Sequence, residues 1–323
     1  MKNILVTGGA GFVGSHLSDA LIEEGHNVVV VDNLILGRKE NISHLFKHNR
    51  FRFYKEDLLD HDALRLIFEK EKFDAVFHLA ANSDIQKGGE SPEVDLELTF
   101  MTTFSVLQCM REFEVEQIVF SSSSAMYGES KELFHEDHGP LFPASFYGAA
   151  KLASEGFISA FCENFGIWAW ILRFPNVVGE RATHGAIFDF INKLKKNPNE
   201  LEVLGDGEQN KPYLYVKDLV EGMLFAWKNS FDKLNVFNLG VDSRTKVKKM
   251  AEIVIEEMGL DAKIRFTGGD KGWVGDVPQF RYDLTKIHEL GWQAKMTSDQ
   301  AVRLAVRKIL EKEAHATGNY CRR

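Results

Sequence analysis

A glycine-rich turn directly after a short apolar run at the start of the chain constrains the fold more than any other feature of the sequence. Glycines at this spacing permit a tight turn, close approach of a pyrophosphate and close packing of a helix on the preceding strand. That helix presents free N–H groups and the positive end of its dipole to the phosphates. The motif predicts a dinucleotide site at Gly8, Gly11, Phe12, Val13 and Gly14, and a glycine-rich turn without a ligand is the alternative for the motif taken alone.

Short runs rich in β-branched residues alternate with helix-length stretches through the first half of the chain. The runs are Ile4–Val6, Val28–Val31, Phe51–Tyr54, Ala75–Leu79, Gln117–Phe120 and Trp168–Phe174. The stretches between them include Phe12–Glu24, Asp62–Lys70, Pro92–Phe113 and Ser145–Phe165. Apolar runs separated by helices predict a parallel sheet buried on both faces, and right-handed crossovers make it a doubly wound α/β sheet of the Rossmann type.

The second half of the chain is less regular. It contains a strand candidate at Tyr213–Val216 and helix candidates near Asp218–Lys228 and Lys246–Met258. No low-complexity linker or internal repeat separates the two halves. We therefore expect residues 1–175 to form the dinucleotide-binding domain and residues 176–323 to form a smaller C-terminal substrate-binding cap, with segments near 213–240 returning to the first domain.

Composition narrows the functional classes. The net charge of −8 argues against a nucleic-acid binder, and no run of about 18 apolar residues predicts a membrane span. The spacing of Cys109, Cys162 and Cys321 fits neither a metal site nor a disulfide framework. A reducing cytoplasm is the expected location, with no metal, nucleic acid or membrane as partner.

The second apolar run ends at Asp32, 18 residues after Gly14. A carboxylate at this point accepts hydrogen bonds from the adenosine ribose of a dinucleotide and repels a 2′-phosphate, so NAD is expected rather than NADP. A solvated strand end is the alternative for Asp32 taken alone. Arg38 and Lys39 follow closely, and we interpret them as a solvated helix start rather than as a phosphate site.

The third and fourth runs end in residues that suit the same site. Asp57 and Leu58 follow the third run, and Leu79, Ala80 and Ala81 close the fourth. Small residues at 80 and 81 let the backbone approach a cofactor. The histidine that precedes them, at position 78, is interpreted as a packed, hydrogen-bonded residue rather than a catalyst.

A candidate catalytic group follows the fifth run. Four serines, from 121 to 124, end that run, and Tyr147 and Lys151 lie four residues apart in the next helical stretch. This spacing places the phenol and the ammonium on one helical face. The lysine charge, with that of an oxidised nicotinamide, is expected to lower the tyrosine pKa from about 10 towards the working pH, as a general base requires. Taken alone, such a pair is more often an exposed helix face.

Together these stretches resemble the extended short-chain dehydrogenase/reductase family, and most of all its NAD-dependent sugar-nucleotide epimerase/dehydratase branch, in particular the UDP-glucose 4-epimerases. The resemblance covers nearly the whole chain. The matching stretches are Thr7–Gly14, Asp32–Leu34, Asp57–Leu58, His78–Ala81, Ser121–Gly128, Tyr147–Lys151, Leu172–Asn176, Gly205–Gly207, Tyr213–Asp218 and Gly275–Pro278.

The resemblance implies roles for individual residues. Tyr147 is then the base, Lys151 its partner and a ligand of the nicotinamide ribose, and Ser123 the hydroxyl that orients the substrate. The implied cofactor contacts also include Asn33, Leu34 and Pro175. The implied substrate contacts are Ser83, Ser123, Tyr147, Asn176 and Lys211. A nucleotide sugar, with UDP or GDP linked to a hexose or a related sugar, is the implied partner, and members of this branch pair as homodimers through the helices at Pro92–Phe113 and Ser145–Phe165.

Three departures from the family pattern concern the substrate side. Lys211 stands where many members have an arginine that holds the diphosphate, and lysine lacks the bidentate geometry. Trp273, with Lys271 nearby, stands in the region of a second such arginine, before Gly275. Thr99 replaces an asparagine that contacts the cofactor in many members. These changes leave the hydride chemistry intact and leave the nucleotide and the sugar open.

The residues after Ser123 bear on the reaction. Dehydratases of the branch carry an Asp-Glu pair there and decarboxylating members carry a glutamate, whereas this chain has Ser124 and Ala125. The sequence therefore predicts a 4-epimerase that acts through a 4-keto sugar. A dehydrogenase that releases the 4-keto sugar uses the same residues and remains an alternative. A catalytically silent NAD-binding scaffold is the alternative from a different class.

Overall fold

A computed structural model describes residues 1–129, 132–269 and 279–316 of the chain. Its centre is a seven-stranded sheet in which all neighbouring strands are parallel, in the order β11-β6-β5-β4-β1-β2-β3. The sheet strands are β1 Asn3–Thr7, β2 Asn27–Val31, β3 Phe51–Tyr54, β4 Ala75–His78, β5 Gln117–Ser123, β6 Trp168–Phe174 and β11 Leu234–Asn238. The strand order reverses between β1 and β4, and the prediction of a doubly wound Rossmann sheet is confirmed.

The chain winds through eleven α-helices in its described part. Their bounds are α1 Phe12–Glu23, α2 His61–Glu71, α3 Ile85–Glu90, α4 Pro92–Asp95, α5 Thr102–Glu112, α6 Phe146–Phe165, α7 Ala186–Lys196, α8 Val216–Asn229, α9 Val247–Glu257, α10 Thr285–Leu290 and α11 Ser298–Ala316. The stretch predicted as one helix over Pro92–Phe113 contains a π-helical turn at Leu96–Met101 between α4 and α5. A π-turn adds one residue to a helical turn, so the faces of α4 and α5 are offset from each other.

Helices cover the sheet on both faces because the central strands carry apolar residues towards each face. In β1, Ile4 and Val6 pack in the cluster that contains α1 and α8, and Leu5 packs in the cluster that contains α2, α5 and α6. All three side chains are fully buried. Successive residues of a strand point to opposite faces, so an unbroken apolar run requires a cover on each side.

A third apolar cluster forms the core of a smaller part of the molecule, built mainly from α7, α9 and α11. Three two-stranded pairs accompany these helices: β7 Asn176–Val178 with β10 Tyr213–Tyr215, β8 Glu200–Val203 with β13 Lys263–Phe266, and β9 Asn210–Lys211 with β12 Thr245–Lys246. Between β10 and β12 the chain passes through α8, on the main sheet, and β11, at its edge. The domain boundary at residue 175 stays a prediction.

Within the described residues, no helix is both long and apolar enough to cross a membrane. Over the same residues, the side chains of His, Cys, Asp and Glu nowhere form a group suited to hold a metal ion. The carboxyl ends of the parallel strands β1 to β6 lie at one edge of the main sheet, and most of the candidate site residues follow these ends.

Candidate functional site

The turn between β1 and α1 has the close backbone packing that its glycines predict. Gly8 has a φ of 67°, and a Cβ added to it would lie 2.8 Å from the backbone nitrogen of Ala80. A Cβ on Gly14 would lie 2.3 Å from the carbonyl oxygen of Gly8. Phe12 and Val13 begin α1, and no side chain caps the start of this helix at Gly11. Its first N–H groups therefore suit an anionic ligand such as a pyrophosphate.

The Asp32 carboxylate lies beside this turn at the end of β2. It accepts hydrogen bonds from the backbone N–H of Ala10, at 3.0 Å, and of Leu34, at 2.8 Å. Burial raises the pKa of Asp32, and the two N–H donors oppose that rise. A Cβ on Gly37 would lie 2.6 Å from one carboxylate oxygen, so the loop closes around the acid. Two backbone donors leave acceptor capacity for the hydroxyls of a ribose.

The remaining predicted cofactor residues surround the same strand ends. Asn33 donates from its side-chain amide to Asp57, at 3.2 Å, which joins the loops after β2 and β3. The backbone N–H groups of Leu79 and Ala80 lie within 3.3 Å of the hydroxyl oxygen of Thr7. Three more predicted cofactor residues follow strand ends. Leu58 after β3 and Pro175 after β6 are buried, and Ala81 after β4 is half-buried.

His78 is a packed residue, as interpreted from the sequence. Its ring nitrogens hydrogen-bond the hydroxyls of Thr7, at 2.7 Å, and Thr103, at 3.0 Å, and its ring stacks on Phe120. Burial lowers the pKa of His78 to about 3, with a smaller contribution from the charge of Lys151. The imidazole is therefore neutral and links β1 and β4 to α5.

Three residues from β5 and α6 form the candidate catalytic group. Ser145 caps α6 through the N–H of Gly148, at 3.1 Å, and so fixes the first turn, which carries Tyr147. The side chain of Tyr147 hydrogen-bonds Ser123 at the end of β5. The ammonium of Lys151, one turn further along α6, lies 5.8 Å from the centre of the Tyr147 ring. The structure thus brings the predicted base, its partner and the orienting hydroxyl together.

The expected lowering of the Tyr147 pKa is wrong for the protein without its ligands. Burial raises the pKa of Tyr147 to about 12, and the hydrogen bond from Ser123 only partly opposes this rise. Burial lowers the pKa of Lys151 to about 7. The physical reason is that both groups are removed from water while the ammonium is directed to a backbone carbonyl rather than to the phenol. The phenol is therefore protonated at neutral pH.

The predicted substrate residues are more dispersed. Ser83 is exposed in the loop after β4, and Asn176 is half-buried at the start of β7. Lys211 is buried in β9, where it pairs with Thr245 of β12. The departure noted at Trp273 and Lys271, and the matching stretch Gly275–Pro278, lie outside the described residues.

Sequence reasoning missed a buried carboxylate beside the catalytic group. Asp95 of α4 is 1% exposed and accepts a 2.9 Å hydrogen bond from Asn82 through one oxygen. Its other oxygen has no partner among the described residues. The charge of Asp95 raises the pKa values of Tyr147 and Lys151. The sequence gives no signal for this residue, because an acid in the first turn of a helix is usually solvated.

Thr99 lies next to this carboxylate in the π-helical turn. Its hydroxyl accepts a 3.1 Å hydrogen bond from the N–H of Asn82, and its carbonyl oxygen accepts one from Thr103 at 2.7 Å. Because Thr99 is fully buried, its hydroxyl holds the loop after β4 rather than facing a ligand. The departure at this position therefore has a structural role here.

Comparison with known proteins gives consistent matches along the chain. A model of the NAD dependent epimerase/dehydratase family matches residues 4–240. A putative UDP-glucose 4-epimerase of Methanocaldococcus jannaschii is 34% identical over 94% of this chain and 97% of its own.

Solved structures match over nearly the full chain. The crystal structure of a UDP-galactose 4-epimerase is 39% identical, with a TM-score of 0.85, over 96% of this chain and 99% of its own. The Thermotoga maritima UDP-glucose 4-epimerase with UDP-glucose is 32% identical, with a TM-score of 0.86, over the same shares. The Thermus thermophilus UDP-glucose 4-epimerase in complex with NAD is 28% identical, with a TM-score of 0.84, over 94% of this chain and 97% of its own.

Proposed function

The chain belongs to the NAD-dependent epimerase/dehydratase family of enzymes, and we propose that within this family it is a nucleotide-sugar 4-epimerase. The observation that carries this proposal is the arrangement of Tyr147, Ser123 and Lys151 at the end of β5 with no acid in the two positions after Ser123. The substrate is a hexose, or a related sugar, linked to a nucleoside diphosphate.

The residues after Ser123 support epimerisation rather than elimination of water. Ser124 and Ala125 carry no carboxyl group. The N–H of Ala125 donates to the hydroxyl oxygen of Ser123 at 3.2 Å. This stretch therefore holds the orienting serine in place and supplies no acid or base for a second proton transfer.

NAD fits the residues present at the sheet edge. The uncapped start of α1 suits its pyrophosphate, and the Asp32 carboxylate suits its adenosine ribose. When bound, NAD supplies a hydride acceptor at C4 of the sugar and a hydride donor for the return step. Lys151, from α6, would hold the nicotinamide ribose through its ammonium.

Proton transfer falls to the protein. Tyr147 takes the proton of the C4 hydroxyl as the hydride leaves C4, and Ser123 orients that hydroxyl with its own. The product of this half-reaction is a 4-keto sugar. Return of the hydride from bound NAD to the other face of the keto sugar would require a proton on the C4 oxygen, and Tyr147 would give that proton back, so that the C4 configuration inverts with no net oxidation. Burial, together with the charge of Asp95, raises the pKa of Tyr147 to about 12 despite the Ser123 hydrogen bond, so the base requires added positive charge beside the phenol.

A C4 dehydrogenase that releases the 4-keto sugar is the second candidate. The same three residues serve its single half-reaction. The lysine at position 211, where many family members have arginine, favours a less common nucleotide sugar as substrate.

An acidic sugar is also a candidate substrate, because a UDP-glucuronate 4-epimerase of Thermodesulfobacterium geofontis is 28% identical over 95% of both chains. The cytoplasmic location and the homodimer remain predictions.

The test is incubation with a panel of UDP-, GDP- and CDP-linked sugars, followed by NMR of the products. A 4-epimer formed without net reduction of NAD supports the proposal. A keto sugar formed in proportion to reduced NAD replaces it with the dehydrogenase. Unchanged sugars across the panel, with NAD bound, would favour the catalytically silent scaffold.

A further inference from the structure

A buried ion pair joins the catalytic helix to the sheet directly behind the catalytic group. Glu155 of α6 lies one turn after Lys151, and its carboxylate accepts hydrogen bonds from the Nε of Arg173, at 3.1 Å, and from its Nη2, at 2.7 Å. Ser122 donates to the same carboxylate. Arg173 and Ser122 are direct partners in the register of β6 and β5, so two neighbouring strands bind one acid on α6.

The other side of the guanidinium holds a loop. Nη1 of Arg173 donates to the hydroxyl of Tyr127 and to the carbonyl oxygen of Glu136, both at 2.8 Å. Asn238, the register partner of Arg173 on β11, lies 2.8 Å from the same Tyr127 hydroxyl and donates to the carbonyl oxygen of Phe134 at 2.9 Å. Arg173, Tyr127 and Asn238 are all at most 6% exposed.

The loop at 134–138 is in turn attached to the chain at 280–283. Phe134 accepts a hydrogen bond from the N–H of Asp283 and donates its own N–H to Arg281, both at 2.8 Å. The rings of Tyr127 and Phe134 stack with centroids 4.5 Å apart. A polar network therefore runs from α6 through the Arg173 guanidinium to the loop at 134–138 and on to the chain at 280–283. These segments lie far apart in the sequence.

The pairing of Glu155 also determines what Lys151 contacts. An acid four residues after a lysine on a helix can reach its ammonium. Here the two carboxylate oxygens are taken by Arg173 and Ser122, and Lys151 donates instead to the carbonyl oxygen of Ser121 at 2.6 Å. We propose that Arg173 is a positioning residue: it keeps the Glu155 carboxylate from a direct hydrogen bond with Lys151 and fixes α6 to the loop at 134–138.

Buried ion pairs contribute little to stability on average, and removal of one partner leaves the other charge uncompensated. Loss of Arg173 therefore frees a carboxylate one turn from Lys151. The Glu155 carboxylate would then attract the Lys151 ammonium away from Tyr147 and raise the pKa of Lys151. This inference rests on the proposed function, in which Lys151 holds the nicotinamide ribose as an ammonium.

The decisive experiment measures NAD affinity against pH by calorimetry, which needs no sugar substrate. Affinity should fall as Lys151 loses its proton, with an inflection near the pKa of about 7 that burial gives it. In Arg173→Gln the inflection should move up by about one to three pH units, because an unpaired acid then faces the amine. Besides Glu155, the charge of Asp95 from α4 raises the pKa of Lys151, and Asp95 is unchanged in every variant. His78 from β4 and Tyr147 from α6, which also face the amine, are unchanged too.

The double variant Glu155→Gln/Arg173→Gln separates this role from a merely structural one. It lacks the Glu155 carboxylate, whose charge already raises the pKa of Lys151 in the wild type, so its inflection should fall to the wild-type pH or below it and its kcat should exceed that of Arg173→Gln. An inflection that stays in place in Arg173→Gln, or a double variant no better than the single one, would overturn the proposal. Arg265→Gln, which removes an exposed arginine paired with Glu200, is the matched control and should move neither reading.

Arg173→Lys provides a variant that retains the charge if Arg173→Gln does not fold. One lysine ammonium cannot bind both Glu155 and the loop at 134–138, so kcat should fall at least tenfold. The inflection of NAD affinity against pH should move less than in Arg173→Gln. A wild-type kcat would overturn the proposal. The proposed function is judged separately. If wild-type protein turns over no nucleotide sugar while the NAD inflections move as expected, the positioning role stands and the epimerase proposal fails.

Discussion

The ammonium of Lys151 donates a 2.6 Å hydrogen bond to the carbonyl oxygen of Ser121 on β5. The amine also lies 4.6 Å from the centre of the Phe120 ring, and the side chain is 1% exposed. A cation in this position is held by a carbonyl dipole and an aromatic face rather than by a paired carboxylate. Its charge is thus available to a ligand that enters beside Tyr147.

Lys151→Met is expected to stabilise the ligand-free protein while impairing the enzyme. Burial lowers the pKa of Lys151 to about 7, whereas an unfolded lysine titrates near 10.4. Between these values the unfolded state binds more protons, so the penalty for burying the amine is full below pH 7 and vanishes as pH rises to about 10. Urea unfolding should show a larger free energy of unfolding for the variant than for the wild type at pH 6, and this difference should be smaller at pH 9.5. A constant difference across this range would contradict the assignment.

Asp32 should make the protein select NAD over NADP. Its carboxylate lies at the end of β2 with two backbone donors, and a 2′-phosphate would bring a second negative charge against it. We expect NAD to bind at least tenfold more tightly by calorimetry, which corresponds to about 1.4 kcal/mol. Asp32→Asn, which keeps the shape and removes the charge, should narrow this ratio. Equal affinities in the wild type would refute the role.

An aromatic face formed by the π-turn at Leu96–Met101, α5 and α6 is predicted to mediate a homodimer. Phe157 is 41% exposed, and its ring packs edge-on against Phe100, with centroids 4.9 Å apart, and against Phe104, at 5.8 Å. Phe157→Glu should give a monomer in light scattering at micromolar concentration, because a buried unpaired carboxylate at an interface is costly. Phe231→Glu alters a more exposed ring, before β11, and should leave the assembly unchanged.

His78 should make the protein sensitive to acid. Burial lowers its pKa to about 3, against 6.5 in the unfolded chain. The unfolded state therefore takes up a proton first as pH falls below 6.5, and stability is lost progressively towards pH 3. His78→Gln does not titrate, so its free energy of unfolding should decline less between pH 7 and pH 4.5 than that of the wild type. Parallel declines would mean that the imidazole is not the responsible group.

The local features of the fold were predictable from the sequence because they depend on residues close together in the chain. The glycine turn, the apolar runs and the helix with Tyr147 and Lys151 are of this kind, and β3 and β6 have the predicted bounds. The π-turn at Leu96–Met101 was not predictable, since its residues suit an ordinary helix.

The features that sequence could not supply arise from contacts between distant elements. Glu155 and Arg173 read as ordinary charged residues of a helix and a strand, and only the packing of α6 on β6 pairs them. Asp95 became significant because the fold buries it beside the catalytic helix. The pKa of Tyr147 in the ligand-free protein depends on the same burial, which the spacing of Tyr147 and Lys151 along the helix does not reveal.

Tyr147 is the base of the proposed mechanism. Tyr147→Phe removes the phenol but keeps the ring in the first turn of α6, so the fold and NAD affinity should be preserved. A missing general base typically lowers the rate on the order of 100- to 10,000-fold. Ser123→Ala should cost less, since only the orienting hydroxyl is lost. Turnover of the sugar that the NMR panel identifies should be measured, with NAD occupancy followed in parallel.

Tyr54→Phe is the matched control for this loss of a hydroxyl. Tyr54 donates to Glu71, the last residue of α2, at 2.6 Å, and this hydroxyl has no part in the proposed chemistry. Its removal should leave turnover unchanged, so a defect shared by both variants would point to a general effect of losing a buried hydrogen bond. Near wild-type turnover in Tyr147→Phe would contradict the mechanism. Without the phenol, the candidate catalytic group retains only the Ser123 hydroxyl and the Lys151 amine. Both are already hydrogen-bonded, so neither is expected to replace the phenol as the base for the C4 hydroxyl.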